Sequence, residues 1–447
     1  MSLEDESKTM QDVEAQVQAP NLPPGDTAGG PTAVPDPTPN GGRDAWMQVT
    51  GAFVLTQNTW GLVMAHGAFQ ASYATGILST SSLSALSWIG SIQAFLILFI
   101  GIFSCRAVDA GYFPLVAGTG LFFQILGLIM TSLSTKYYQF LLAEGLCVGI
   151  GSGFLFAPGI TIAASYFTTK RPLAIAMATS GAAVGGILFP IVSYWLVVDV
   201  GFAWAIRIIT LLVLLTSGFT IYTLRPKASL PAARRVIPLI DFAGFKDPAY
   251  LTFVIGTTLG LVACFIPFFY NPVYAIGLGL RSELASYLLS SMNVASLMGG
   301  FLLVIFAVRV GTLNAIIPFT YVSGVILLLL LVNQNLAGLV VASLLYAFVS
   351  GYQLILVATT IASISSDTNE ICGQVRTAIA LGSIGALIGT PIAGSILSRQ
   401  NRHIPVEDLA NWSFTWALIF TGVILLICGA VWTTTRVLKK GMKWEKI

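Results

Sequence analysis

The chain reads as an all-α membrane protein: twelve transmembrane helices in two six-helix bundles related by an internal pseudo-repeat. Three observations carry this reading. Of 447 residues, 55% are hydrophobic and only 9% charged, against about 25% charged in soluble domains. From Ala45 to Cys105 there is no Lys, Arg, Asp or Glu. Shifted by about 200 residues, the chain meets its own punctuation: Tyr73-Ala74-Thr75-Gly76 falls on Tyr274-Ala275-Ile276-Gly277, Gly111 on Gly311, Gly151 on Gly351, and Pro190 on Pro391. Two similar apolar halves are the sequence form of an alternating-access transporter, whose bundles rock about a site at their interface.

The predicted spans are 47–69, 84–105, 112–133, 138–158, 174–196, 203–224, 249–271, 284–307, 313–332, 336–357, 377–397 and 412–435. Each supplies roughly 20 mostly apolar residues, enough for a helix to cross a hydrocarbon core of about 30 Å. Lipid offers no partner to an open strand edge, so helix is the form required. The expected organisation is a disordered cytoplasmic tail (1–44), an N-terminal bundle (45–224), a cytoplasmic linker (225–248), a C-terminal bundle (249–435) and a basic tail (436–447). The first tail is acidic at its start and holds seven of the twenty prolines. It lacks the apolar surface to offset its ordering entropy, and it has no basic-then-apolar signal pattern.

Orientation follows from basic residues. With the N-terminus in the cytoplasm, 17 of the 22 Lys and Arg lie inside, including Lys170, Arg171, Arg225, Lys227, Arg234, Arg235, Lys246 and the tail cluster from Arg436 to Lys446. Lys136, Arg207, Arg281, Arg399 and Arg402 remain outside or within a helix. The expectation is a multi-pass protein of the cell membrane with both termini cytoplasmic. A net charge of +3 is too small to point to nucleic acid. Cys105, Cys147, Cys264, Cys372 and Cys428 lie far apart without a C-x-x-C pair, so they read as apolar packing residues rather than a metal set.

Few polar groups within the spans can carry chemistry. Glu144, inside Leu141-Leu142-Ala143-Glu144-Gly145-Leu146, is a carboxylate in lipid, which costs a few kcal/mol unless it faces the bundle interior or a water-filled cavity. It is a candidate for proton or substrate handling; its bland alternative is to fix helix packing. His66 and Gln70 stand four residues apart on one helical face. Histidine titrates near neutral pH, and a buried amide requires partners. Asn293 is a second such amide, with interhelical hydrogen bonding as its alternative. Arg207 has three readings: a snorkelling headgroup contact, a partner for Asp199, or an anion site. Tyr270, in Phe265-Ile266-Pro267-Phe268-Phe269-Tyr270-Asn271, lines either an outer cavity or an interfacial belt. Gly181 and Gly185, with Gly385 and Gly389, allow close helix approach; Pro190 and Pro391 soften the helix beyond them. These are read as gating and packing elements.

The sequence contains no G-x-x-x-x-G-K-[ST], no metal-spaced His/Cys set and no serine nucleophile motif. Neither an ATP-driven pump nor an enzyme is expected, and no cofactor. The sequon Asn411-Trp412-Ser413 abuts the last span, too near the membrane for glycosylation.

Several stretches resemble the fungal form of the monocarboxylate-porter branch of the major facilitator superfamily, over roughly residues 40–435. They are Gly41-Gly42, Asn58-Thr59-Trp60-Gly61, Gly67-Ala68-Phe69-Gln70, Gly201-Phe202-Ala203-Trp204-Ala205-Ile206-Arg207, Gly389-Thr390-Pro391-Ile392-Ala393-Gly394 and, most specifically, Tyr166-Phe167-Thr168-Thr169-Lys170-Arg171-Pro172-Leu173-Ala174. The resemblance implies the major facilitator fold and, in many relatives, proton-linked movement of small organic acids. The chain departs from the pattern where substrate is chosen. Related porters typically carry Gly-Arg in the eighth helix, with the arginine on the substrate carboxylate; here the pair is Gly299-Gly300. Asn40 stands where the family usually has Asp, and Ala307-Val308-Arg309 replaces Ala-Asp-Arg. The expected function is export of a larger or neutral organic molecule, a specialised metabolite, with protons as the candidate coupling ion. A proton-coupled importer of a monocarboxylate or small nutrient is the alternative, and a non-transporting membrane sensor a remote one.

Overall fold

A computed structural model of the chain describes residues 41–167, 170–226, 243–332, 334–351, 356–364, 371–404 and 409–441. The expected disordered tail, most of the linker and the last tail residues fall outside them. Among the described residues the regular structure is helical throughout. The helices are α1 (Arg43–Thr75), α2 (Leu83–Asp109), α3 (Phe113–Leu133), α4 (Tyr137–Ser165), α5 (Arg171–Val200), α6 (Phe202–Thr223), α7 (Pro248–Gly277), α8 (Ser282–Val310), α9 (Thr312–Leu329), α10 (Leu336–Ser350), α11 (Leu356–Ile364), α12 (Ile371–Gln400) and α13 (Thr415–Lys440).

Ten of these are long and apolar enough to cross a membrane: α2 through α9, α12 and α13. Two of the twelve predicted spans behave differently. α1 is long but carries Gln48, Asn58, His66 and Gln70, all buried inside the protein. It is walled off by α4, α5, α6 and α7, so its polar groups answer to neighbours rather than lipid. Asn58, for example, donates to Thr216 at 2.7 Å and Ser217 at 2.9 Å on α6. The tenth predicted span corresponds to α10, short at 15 residues, with α11 beyond the undescribed residues 352–355.

Local chemistry sets the helix ends. Ser82 caps α2 by accepting from the Ala85 amide at 3.2 Å, and Asn335 caps α10 through the Gly338 amide at 2.7 Å. The α2–α3 and α8–α9 connections turn on Gly111 (φ 94°) and Gly311 (φ 105°), the very pair the repeat superimposes. Both sit in the left-handed region that a side chain disfavours. One internal break matters for the site: α7 is interrupted at Phe265, with Pro267 in the first turn of its second segment. Proline cannot donate the bond that would continue the helix.

The repeat is visible in packing. In the first half α1 lies against α5 and α4, and α3 against α6; in the second, α7 lies against α12, and α9 against α13. The glycines make the correspondence specific. A β-carbon on Gly181 would meet the Phe53 carbonyl oxygen, and one on Gly185 the Gln57 carbonyl. In the second half Gly385 presses on the Thr258 carbonyl, and Gly389 on that of Val262. The halves meet along α2–α12, α5–α8 and α1–α7, where α1 touches the Ile266–Gly277 segment while Pro248–Cys264 packs on α12 and α13.

Candidate functional site

The site begins with a helix that departs from α geometry. Residues Leu141–Val148 of α4 form a π-helical stretch, the kind of local widening that recurs at functional sites. It presents Glu144 to α1. The carboxylate Oε1 lies 3.3 Å from His66 Nδ1, and Oε2 accepts the Tyr73 hydroxyl proton at 2.6 Å. All three side chains are buried: His66 is 0% exposed, Tyr73 1% and Glu144 8%. With Glu144 ionised, the imidazole contact requires a proton on Nδ1, and both carboxylate oxygens are then engaged. Beside the group is a cavity of about 20 Å³, lined by Phe69, Tyr73, Gln93, Thr131 and Glu144 among others. That is room for one water.

The imidazole faces both halves. Its ring packs on Phe269 of α7, with centroids 4.9 Å apart, and Gly90 of α2 clears the space for both rings. Gly67, one residue on, lies against the Phe268 carbonyl. Gln70 follows one turn after His66 and is 0% exposed. Its amide lies near the Tyr270 hydroxyl, yet neither its nitrogen nor its oxygen reaches hydrogen-bonding geometry, and His66 Nε2 has no partner either. A buried polar atom left unpaired costs about 1–3 kcal/mol, so three within one helical turn need an explanation.

The structure therefore brings four predicted residues together: Glu144, His66, Gln70 and Tyr270. Tyr270 also donates to the Thr390 carbonyl at 2.8 Å. Two others lie apart. Asn293 donates to the carbonyls of Gly186 (3.1 Å) on α5 and Leu289 (3.0 Å), the interhelical bond of its alternative reading. Arg207 lies over the Trp204 ring at 5.0 Å and bonds Ser132 at 3.4 Å. Tyr73 is a site residue that the sequence reading misses. Its signal is present: it stands seven residues after His66, on the same helical face.

Beyond the site, hydroxyls close one end of the divide. Ser84 donates to the Pro391 carbonyl at 3.0 Å and contacts Ser395 at 2.9 Å; Ser91 meets Thr390. On the other flank Ser290 donates to the Ile187 carbonyl at 2.9 Å, and Trp195 bonds the Tyr287 hydroxyl at 3.1 Å. All lie toward the end where α1 finishes and α2 begins.

Two helical bundles of matching internal architecture, meeting over a buried polar cluster, define a membrane transporter rather than an enzyme. Residues 49–386 match the family model of the Major Facilitator Superfamily, and the chain belongs to that family. It is 34% identical over 393 residues to the MFS-type transporter dbaD of Emericella nidulans, covering 88% of this chain and 86% of that one. It is 32% identical over 373 residues to the aspyridones efflux protein apdF of the same fungus (83% and 76% covered). The agnestins efflux protein AgnL12 of Paecilomyces divaricatus is 32% identical over 398 residues, with 89% of each chain covered. Among solved structures, a point mutant of the nucleoside transporter NupG superimposes with a TM-score of 0.70 at 12% identity, covering 87% of this chain and 99% of that one. A bacterial homologue of the lysosomal transporter Spinster, inward-facing, gives 0.67 at 16% (91% and 100%). These two likenesses concern the fold.

Proposed function

We propose that this protein exports a specialised organic metabolite across the plasma membrane in exchange for protons, by alternating access, with both termini in the cytoplasm. The observation that carries the reading is the buried Glu144–His66 pair at the contact between the halves. A carboxylate and an imidazole sharing one proton site, out of water, are equipped to take up and release a proton. The efflux names of two relatives, for aspyridones and for agnestins, support the direction.

Within the superfamily we place the chain in the fungal monocarboxylate-porter-like branch, on the motifs that resemble it. Its cargo nevertheless differs from a monocarboxylate. Gly300, the second of the Gly299-Gly300 pair, stands where related porters present a guanidinium, and a glycine cannot replace that bidentate grip. The neighbouring Gly299 is closely packed, since a β-carbon there would meet the Phe348 carbonyl. With the N-terminus inside, the hydroxyl seam of Ser84, Ser91, Thr390 and Ser395 closes the outward face. Glycine contacts at Gly181, Gly185, Gly385 and Gly389 are the surfaces on which each bundle holds together while the halves rock; Pro190 and Pro391 lie just beyond them.

Deletion of the gene in the native organism tests the direction. Intracellular retention of a larger, weakly charged product, or sensitivity to it, is the expected outcome. An unchanged distribution of metabolites, with impaired growth on lactate or pyruvate, would instead establish the importer.

A further inference from the structure

We infer that the unpartnered atoms of His66 and Gln70 form the polar recognition site for the cargo, that the site takes a neutral group pairing hydrogen-bond donors with an acceptor, and that cargo and proton exclude one another at His66 Nε2. The inference rests on the transport reading above and adds the chemistry of the ligand.

Nδ1 of His66 is committed to Glu144, and both oxygens of Glu144 are engaged, by His66 and Tyr73. The ring nitrogen left open is Nε2, which in that tautomer is an acceptor. One turn along α1, Gln70 adds an acceptor oxygen and a donor nitrogen, both unpartnered. Side chains four residues apart on a helix are neighbours, so one ligand can reach all three atoms. The complement is a group with two donors and one acceptor, such as a phenol or enol hydroxyl beside an N–H-bearing amide. Phe269, tilted against the His66 ring, supplies an aromatic wall. An anionic carboxylate would meet two acceptors and the Glu144 charge, which is unfavourable. In the described conformation His66 and Gln70 are buried, with Phe269 against the His66 ring and the Tyr270 hydroxyl beside the Gln70 amide. Phe269 and Tyr270 belong to the second half, so parting the halves uncovers His66 and Gln70.

Protonation reverses the site. An added proton goes to Nε2, the open nitrogen of the pair, and turns an acceptor into a donor. A hydroxyl that had donated to Nε2 then faces another donor. The titratable groups around His66 are Glu144 from α4, Tyr73 on its own helix, held to Glu144, and Tyr270 from α7 beside Gln70; α2 contributes Gly90 and no charge. One proton in for one cargo out follows from this exclusion.

The test uses the full-length protein in detergent and a matched pair of probes: salicylamide, which is neutral with two donors beside a carbonyl, and salicylate, the anion of the same shape. Calorimetric titration at pH 7 should give saturable salicylamide binding and salicylate binding weaker by roughly tenfold or more. Salicylamide affinity should fall as the pH is lowered to 5. Gln70→Leu should weaken salicylamide by about tenfold, as expected for two lost hydrogen bonds to a desolvated group. Gln70→Glu, of the same shape, should also weaken it, and provides the measurement if the leucine variant does not fold. Salicylate binding as tight as salicylamide, pH-independent binding, unaltered affinity in a folded Gln70 variant, or no saturable salicylamide binding would each overturn the inference. Proton-driven metabolite export persisting alongside such a result would leave the transport reading standing; loss of any pH-gradient dependence would remove that reading instead.

Discussion

Asn271 donates to Ser343 at 2.7 Å, joining α7 to α10 where, in the other half, His66 of α1 meets Glu144 of α4. The glycine contacts set the correspondence. Phe53 and Thr258, and Gln57 and Val262, hold equivalent places 205 residues apart, and the same offset carries His66 onto Asn271. On the α2/α4 side, the Gly153–Leu96 and Gly351–Ser296 contacts relate positions about 200 apart, which brings Glu144 beside Ser343. Both halves thus place a buried polar bridge at one location. Only the first half gives it ionisable groups. The duplication supplies the architecture, and its breakdown at this bridge puts the ionisable groups in one bundle.

Glu144→Gln should abolish pH-gradient-driven accumulation in proteoliposomes while leaving cargo exchange largely intact, because exchange needs no net proton movement. Parallel transport assays with and without an imposed gradient make the measurement. Wild-type pH dependence in the variant would return Glu144 to a packing role.

Cross-linking should arrest transport at the hydroxyl seam. Ser84 and Ser395 sit 2.9 Å apart through their side-chain oxygens, so the double variant Ser84→Cys/Ser395→Cys places two thiols within reach of a bond. Oxidation should stop transport and reduction restore it. Full activity of the oxidised, cross-linked protein would mean that this end of the divide does not open.

The glycines separate into tight and free positions. Gly389→Ala drives a methyl into the Val262 carbonyl and should destabilise the protein by about 1–3 kcal/mol, as overpacking does. Gly118, whose β-carbon position is open, should tolerate alanine, gaining up to about 1 kcal/mol from helix propensity. Thermal unfolding in detergent distinguishes the two.

Topology is checked with tags at residue 10, near residue 230 and at residue 445. All three should be reachable only after the plasma membrane is permeabilised. Surface labelling of intact cells at either terminus would reverse the orientation.

Much of the fold was legible in the residues, and the site only in fragments. Helix-length apolar stretches and the recurrence of Gly111 at Gly311 announced two bundles, since each glycine turns the same connection. The register was legible only approximately: contacts relate α1 to α7 by 205 residues, about one helical turn more than the Tyr73–Tyr274 match. Glu144 and His66 were each conspicuous as ionisable groups in lipid, yet 78 residues separate them, and no local spacing pairs them. The π-helical stretch that aims Glu144 has no composition of its own. Asn293 and Gln70 looked alike as buried amides; only the three-dimensional neighbours distinguish one bonded to Gly186 from one left open.

The most direct measurement is transport by the purified protein in liposomes under an imposed pH gradient, with two cargoes side by side: lactate, and the metabolite retained by the deletion strain. The metabolite should accumulate against its gradient, in exchange for protons, while lactate uptake stays at the level of protein-free liposomes. Saturable, proton-stimulated lactate uptake, with no movement of the metabolite, would contradict the export reading.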